Sequence, residues 1–210
     1  MSDTAITVPA TAATDITHYA RRMARWEPDS RGRLEQAALA LYGEHGFENT
    51  TVAEIAERAG LTERTFFRHF ADKREVLFSG AAGLQDLLVR AVDGAPDSAP
   101  PIDAVVTALE AAGALFEDGR ERFRQRHLVI VANAELQERE LIKLAGLASA
   151  LAEALRRRGV AEPAATLTGE AGIAIFRVAF ERWVDDANKL ELIQLIRESL
   201  DALRAVTAGE

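Results

Sequence analysis

From Leu34 onward, apolar residues return at every third and fourth position. Leu34, Ala37, Ala38, Leu41 and Tyr42 share one face of an amphipathic helix, which Gly46 stops. A second helix carries Val52, Ile55, Ala56 and Ala59 inward. Its start is marked by Thr51-Val-Ala-Glu54, where a hydroxyl three residues before a glutamate lets each side chain cap the other's backbone N–H. Gly60 permits the positive φ of a sharp turn, and Leu61 plugs it. Thr62 is the expected N-cap of a short third helix ending near Phe70. Asp72-Lys-Arg-Glu75 repeats the capping-box spacing, which predicts a fourth helix running without a break through Val76, Leu77, Leu84, Leu87, Leu88 and Val92. The loop Gly94–Pro101 ends it. Beyond lie predicted helices at 102–117, 120–134, 137–158, 164–186 and 189–207, with breaks at Gly119, around Leu136 and from Gly159 to Pro163.

This pattern predicts an all-α fold of three parts: an N-terminal arm over 1–28, a compact helical head over 29–78, and a larger helical domain over 79–210. Composition agrees, because 48% of residues are hydrophobic but only 6% aromatic, and Ala and Leu favour helices. The chain has no cysteine, which removes disulfides and thiolate chemistry. No basic stretch leads into an apolar run near Ser2, Asp3 and Thr4, and no run of 18 apolar residues occurs, so a cytoplasmic protein without a membrane span is expected.

A net charge of −8 argues against a polyanionic partner, but the distribution reverses that reading locally. Arg21, Arg22, Arg25, Arg31 and Arg33 face only Glu27 and Asp29, while Arg58, Arg64, Arg68, Lys73 and Arg74 face only Glu63 and Asp72. Charge alone fits either solvated helix faces or a phosphate-binding surface. A helix, a tight glycine turn and a second short helix within about 20 residues match a helix-turn-helix, whose second helix enters the major groove. A structural corner shares that spacing. What favours DNA is the set of side chains on the outer side: Thr62, Glu63, Arg64, Thr65, Phe67 and Arg68 can meet base edges, thymine methyls or phosphates. Phe66 and Phe70, spaced at i and i+4, are assigned to packing.

The run Thr51-Val-Ala-Glu-Ile-Ala-Glu-Arg-Ala-Gly-Leu-Thr62, followed by Thr65-Phe-Phe-Arg-His-Phe70 and Lys73, resembles the DNA-binding signature of the TetR family over residues 31–78. The resemblance implies that Thr65, Phe67, His69 and Lys73 position the protein on operator DNA, with Lys73 facing phosphate from a helix N-terminus. It leaves Thr62, Glu63 and Arg64 to read bases, and Arg31 and Thr51 complete the candidate contacts. Two positions depart from the family pattern: Phe67 replaces the usual Tyr, and Arg64 stands where Gly is frequent. His69 also fits a packed, hydrogen-bonded histidine, and the Arg21, Arg22 and Arg25 group suits a minor-groove arm or a plain solvated tail.

The same resemblance implies a homodimeric repressor, with no cofactor, whose C-terminal domain binds a small-molecule effector and dimerises through its last two helices. Independently of it, Ile193, Ile196, Leu200 and Leu203 form a narrow seam suited to packing against another helix, in a partner or in the chain's own core. Leu167, Ala171, Ala174, Ile175, Val178 and Ala179 supply a second face of mostly small residues. The segment Arg124–Lys143 together with Phe176–Trp183 is similar to the TetR subgroup with an acyl-CoA-like ligand-binding domain. That similarity implies an apolar chamber lined by Phe116, Phe123, Ile130, Phe176, Phe180 and Trp183, with Arg124, His127 or Asn133 as polar contacts for an acyl-CoA or another apolar ligand. Aromatic residues at helical spacing equally fit ordinary core. The rival, an all-α enzyme, would need Glu-x-x-His pairs, a phosphate loop or a Gly-x-Ser-x-Gly elbow, none of which occurs in the sequence, so no enzymatic activity is expected.

Overall fold

The structure is a computed structural model and describes residues 30–209. The expected arm over 1–28, with Arg21, Arg22 and Arg25, lies outside the described residues. Among those described, every regular element is a helix. The α-helices are α1 (Ser30–His45), α2 (Val52–Arg58), α3 (Glu63–His69), α4 (Ala81–Asp93), α5 (Pro101–Phe116), α6 (Arg120–Val131), α7 (Ala134–Arg157), α8 (Ala164–Val184) and α9 (Leu192–Ala208), with 3-10 turns at Glu75–Phe78 and Glu117–Gly119. No helix among the described residues is long and apolar enough to cross a membrane.

Two hydrophobic cores organise the chain. The head core joins Leu34, Ala38 and Leu41 of α1 to Ile55, Phe66, Phe70 and Phe78, and it takes in Val129, Ile130 and Leu136 from α6 and α7. The body core is built from α4, α5, α7, α8 and α9 around Leu109, Leu151, Leu155, Trp183 and Leu195. Helices α7 and α8 pack closely because Gly169 has no side chain: a Cβ there would lie 2.5 Å from the Ala148 carbonyl oxygen. Gly172 makes the same concession to Val105, whose Cγ1 would stand 2.4 Å from an added Cβ.

The fourth helix departs from expectation. Instead of one rod from Asp72 to Val92, the chain makes the 3-10 turn Glu75–Phe78, breaks at Ser79-Gly80, and restarts as α4 at Ala81. Two arginines from distant parts of the sequence take the carbonyls that a continuous helix would use. Arg31 Nη2 donates to the Ser79 oxygen at 2.9 Å, and Arg126 Nε donates to the Leu77 oxygen at 2.6 Å. Gly80 adds a poor helix former at the same point.

The break expected near Leu136 falls at Ala132-Asn133. There the Asn133 carbonyl accepts the Leu136 and Gln137 amides that open α7, while its Nδ2 donates to the Val129 oxygen at 2.6 Å. The seam Ile193, Ile196, Leu200 turns into the body core: Ile193 and Ile196 close over Gly113 of α5, each about 3.4 Å from where a Cβ would sit. Of the expected α8 face, Ile175 and Ala179 turn into the body core, while Leu167 stays 64% exposed and Val178 46% exposed.

Candidate DNA-reading head and effector chamber

The reading head is set by local chemistry. Thr51 caps α2 in a reciprocal box: its Oγ1 accepts the Glu54 amide at 3.2 Å, and Glu54 Oε2 accepts the Thr51 amide and hydroxyl, each at 2.8 Å. These bonds hold the Glu54 carboxyl below the usual carboxylate range, the backbone bond from Thr51 first. Helix α2 closes on Gly60 at φ +65°, where the Leu61 amide reaches back to the Ala56 oxygen at 2.8 Å. Thr62 then caps α3, accepting the Thr65 amide at 3.2 Å and sharing a 3.1 Å hydroxyl contact with Thr65. Phe66 and Phe70 are buried beneath, as their spacing requires.

What remains facing outward is a small set. Thr62, Glu63, Arg64, Phe67 and Arg68 are exposed, and Phe67 is 56% exposed although aromatic. Among the described residues Arg64 has no acidic partner. By contrast Arg58 is paired with Glu44 through two bonds of 3.1 and 2.8 Å, and Arg74 is paired with Asp72 and Glu135. Arg31 is divided between Glu35 and the Ser79 carbonyl. Among the described residues, Arg58, Arg74 and Arg31 are thus engaged within the head, while Arg64 of α3 and Arg33 of α1 stay exposed without an acidic partner.

Two expected phosphate contacts are tied into the head. His69 Nε2 lies 2.8 Å from Ser30 Oγ, linking the end of α3 to the start of α1, with Arg68 Nη2 at 3.4 Å. Lys73 does not sit at an α-helix N-terminus. Its ammonium donates to the carbonyls of Phe47, Glu48 and Thr50 at 2.8, 3.1 and 2.9 Å, and it lies 4.5 Å from the centre of the Phe47 ring. Next to it, Tyr42 Oη donates to the Lys73 carbonyl at 2.6 Å, and burial, with the Asp72 charge second, pushes the phenol well above its ordinary range.

Asp72 offers a test of this corner. Hydrogen bonds from the Arg74 guanidinium, more than those from the Glu75 and Arg74 amides, hold its carboxyl below the usual range against an opposing effect of burial. A carboxyl made more acidic by folding adds stability above its unfolded value of about 3.9, and that stability is lost as pH falls through the folded value. Thermal unfolding of the wild type and Asp72→Asn is expected to differ at neutral pH and to converge below about pH 4.

Behind the head, an ion-pair cluster that sequence reading did not find joins it to α6 and α7. Arg126 donates to Glu140 at 2.9 Å as well as to the Leu77 carbonyl, and its guanidinium lies 5.2 Å from the Phe78 ring centre. Arg139 and Lys143 of α7 both pair with Glu75 of the 3-10 turn. The Arg124–Lys143 run contains most of these residues, but nothing in its spacing tells which charges meet the head.

In the body, six expected chamber residues do come together. Phe116 stacks near Phe123 with ring centres 4.4 Å apart, and Phe176, Phe180 and Trp183 continue the row at 5.7 and 5.8 Å. His127 adds an edge 6.0 Å from Phe180. Phe176 also borders a narrow apolar cleft with Leu84, Leu88, Leu109, Leu147 and Ile173. Three expected residues lie elsewhere. Ile130 is a correction, because α6 turns it into the head core at 0% exposure. Asn133 is another, since it caps the α6–α7 turn. Arg124 braces the surface, paired with Glu121 and Asp186.

A capped tri-helical head with an exposed short third helix, set on a separately cored helical body, defines a helix-turn-helix DNA-binding protein. The model of the bacterial regulatory proteins, tetR family, matches residues 35–79, and the model of the MftR C-terminal domain matches residues 99–208. The chain belongs to the TetR family of bacterial regulatory proteins. It is therefore a DNA-binding transcriptional regulator and not an enzyme.

Among relatives, it is 28% identical over 193 residues to the putative mycofactocin biosynthesis transcriptional regulator MftR of Mycobacterium tuberculosis, covering 88% of this chain and 94% of that one. It is 36% identical over 90 residues to the transcriptional regulator TcmR of Streptomyces glaucescens, a match to 43% of this chain that spans only 40% of TcmR. Among solved structures, the SmeT–triclosan complex aligns with a TM-score of 0.61 at 21% identity, over 82% of this chain and 90% of that one. Thermus thermophilus FadR, a repressor solved with lauroyl-CoA, aligns with a TM-score of 0.52 at 22% identity, over 82% and 92%.

Proposed function

We propose that this protein is a homodimeric repressor that reads a two-fold operator through α3 and leaves it when an apolar, acyl-type effector enters the body. The observation that carries the reading is the division of labour on α3. Thr62 and Thr65 are spent on the cap, Phe66 and Phe70 on the core, and Glu63, Arg64 and Phe67 are left facing outward on a rigid frame. Glu63 and Arg64 make no ion pair among the described residues, and Phe67 meets Phe66 in an edge contact, 5.5 Å between ring centres; such groups on a helix whose backbone is locked from both ends suit base reading. Arg64 fits guanine O6 and N7, and Phe67 fits a thymine methyl. Arg64→Ala is expected to relax selectivity at one G·C pair, at a cost of about 1–3 kcal/mol, when affinities are compared over a panel of single-base operator variants.

The open apolar stripe Leu167, Ala171, Ala174 and Val178 on α8 supports dimerisation, because four apolar positions at spacings of three and four form a helix-packing face that the chain itself leaves uncovered. With α9 alongside, two copies would meet as a four-helix bundle across a two-fold axis. For the effector, support comes from the aromatic row and the apolar cleft that meets it at Phe176. The cleft is narrow, so a ligand must part α4, α5, α7 and α8, and it therefore favours a more open body. The Arg126, Glu75 and Arg139 contacts would carry that opening from α6 and α7 to the broken joint at Ser79-Gly80 and so change the spacing of the two heads.

Selection of bound duplexes from a random pool, followed by addition of lauroyl-CoA to the selected complex, tests the reading. A two-fold consensus released by lauroyl-CoA supports it. A consensus that no acyl-CoA of any chain length releases would remove the effector assignment, and the absence of any consensus would remove the operator.

A further inference from the structure

We propose that Trp183 and Asn188 form the polar end of the effector site and there receive the oxygen of a neutral carbonyl group, a thioester, ketone or amide, carried on an apolar body. This rests on the reading of the body as an effector chamber. Trp183 is 0% exposed and packs between Phe123 and Phe180, with ring centres 6.0 and 5.8 Å away, yet its indole N–H has no acceptor. Asn188 Nδ2 is a second buried donor without an acceptor. Its amide orientation follows from its other half, because Oδ1 accepts the Leu190 amide at 3.1 Å, and that leaves the N–H groups as the unpaired side.

Arg120 touches both residues that carry the donors. Its Nη2 donates to the Asp185 and Asn188 carbonyls at 3.0 and 2.6 Å, and its guanidinium lies 5.9 Å from the Trp183 ring centre. A buried donor without a partner is costly, and two of them beside a cation favour an incoming acceptor with partial negative charge over a donor. A full carboxylate is less well served, because Arg120 is held by two carbonyls and Arg124 is neutralised by Glu121 and Asp186. The row Phe176, Phe180, Trp183 runs from the apolar cleft to this polar end, so an apolar chain lying along it would end with its carbonyl at the two donors.

Calorimetric binding of lauroyl-CoA and of its thioether counterpart S-dodecyl-CoA, which lacks the carbonyl, separates the possibilities. Trp183→Phe keeps an aromatic ring, though a smaller one, and removes the donor, while Asn188→Ala alters a loop residue, so folding of the second variant does not depend on the core. Asn188→Ala is expected to weaken lauroyl-CoA about three- to tenfold and to leave S-dodecyl-CoA unchanged, whereas Trp183→Phe, which also trims the apolar wall, is expected to weaken both, and lauroyl-CoA by about three- to tenfold more. Protein labelled with 15N at the indoles of Trp26 and Trp183 gives a direct readout: the Trp183 Hε1 resonance, assigned by its loss in Trp183→Phe, is expected to move downfield with lauroyl-CoA alone. If both compounds bind and neither variant discriminates between them, the carbonyl site is wrong while the acyl chamber stands. If neither compound binds the wild type, the acyl chamber falls and the site with it.

Discussion

Replacing Leu167 and Val178 together by glutamate is expected to leave the protein folded, to make it monomeric in sedimentation velocity at micromolar concentration, and to lower its affinity for a two-fold operator by at least about a hundredfold. The two residues are already 64% and 46% exposed, so the monomer loses little core packing. In a two-fold bundle each would meet the same stripe of the partner, and glutamate there would bury carboxylates against an apolar face and against one another. The loss of DNA binding follows from linkage rather than from any change in α3. When one head is bound, the second is held near its half-site at a high effective concentration, an advantage of about 10² to 10⁴ that a monomer forfeits. A half-site duplex would bind wild type and variant alike. A dimeric double variant would move the interface away from α8.

Lys73→Met is the second large effect. The ammonium satisfies the carbonyls of Phe47, Glu48 and Thr50 in the loop that leads into α2, and methionine fills similar volume but donates nothing. Removing a charged donor from part-buried acceptors costs about 2–3 kcal/mol, enough to lower the unfolding midpoint by about 5–10 °C. Operator affinity falls with it because α2 is no longer held in place. This differs from a phosphate contact in a measurable way. A lost phosphate contact would lower the slope of log affinity against log salt by about 1, whereas a loosened head leaves that slope unchanged and recovers affinity on cooling.

The parts of the fold that were legible in the sequence are those decided by neighbours along the chain. Thr51 and Glu54, Gly60 and Leu61, and Thr62 and Thr65 act within a few residues of one another, so the turn and both caps could be placed from spacing. The break at Ser79-Gly80 was hidden because its causes, Arg31 and Arg126, come from 48 and 49 residues away. Periodicity likewise identified an apolar face on α9 without saying what it meets. Gly113 makes room for it on α5, so Ile193 and Ile196 serve the body core, and the open stripe belongs to α8. Ile130 enters the expected chamber through the resemblance of the Arg124–Lys143 run, and such a resemblance does not tell which of two cores a helix face will join. Lys73 was misplaced because the carbonyls it holds belong to a loop more than 20 residues earlier. Asn188 gives no signal in the sequence, since the bond that anchors its loop, from Arg120 to its backbone carbonyl, comes from 68 residues away.

The most direct test of the account is fluorescence anisotropy with the DNA immediately upstream of the protein's own gene, measured at several salt concentrations beside a scrambled duplex of the same length. Binding is expected to favour the upstream duplex, to weaken with salt, and to lose about 5- to 150-fold of that preference with Arg64→Ala while the salt slope of scrambled DNA stays similar. Equal, weak binding to both duplexes at every salt concentration would contradict it for that DNA, and a preference undisturbed by Arg64→Ala would contradict the assignment of base reading to α3.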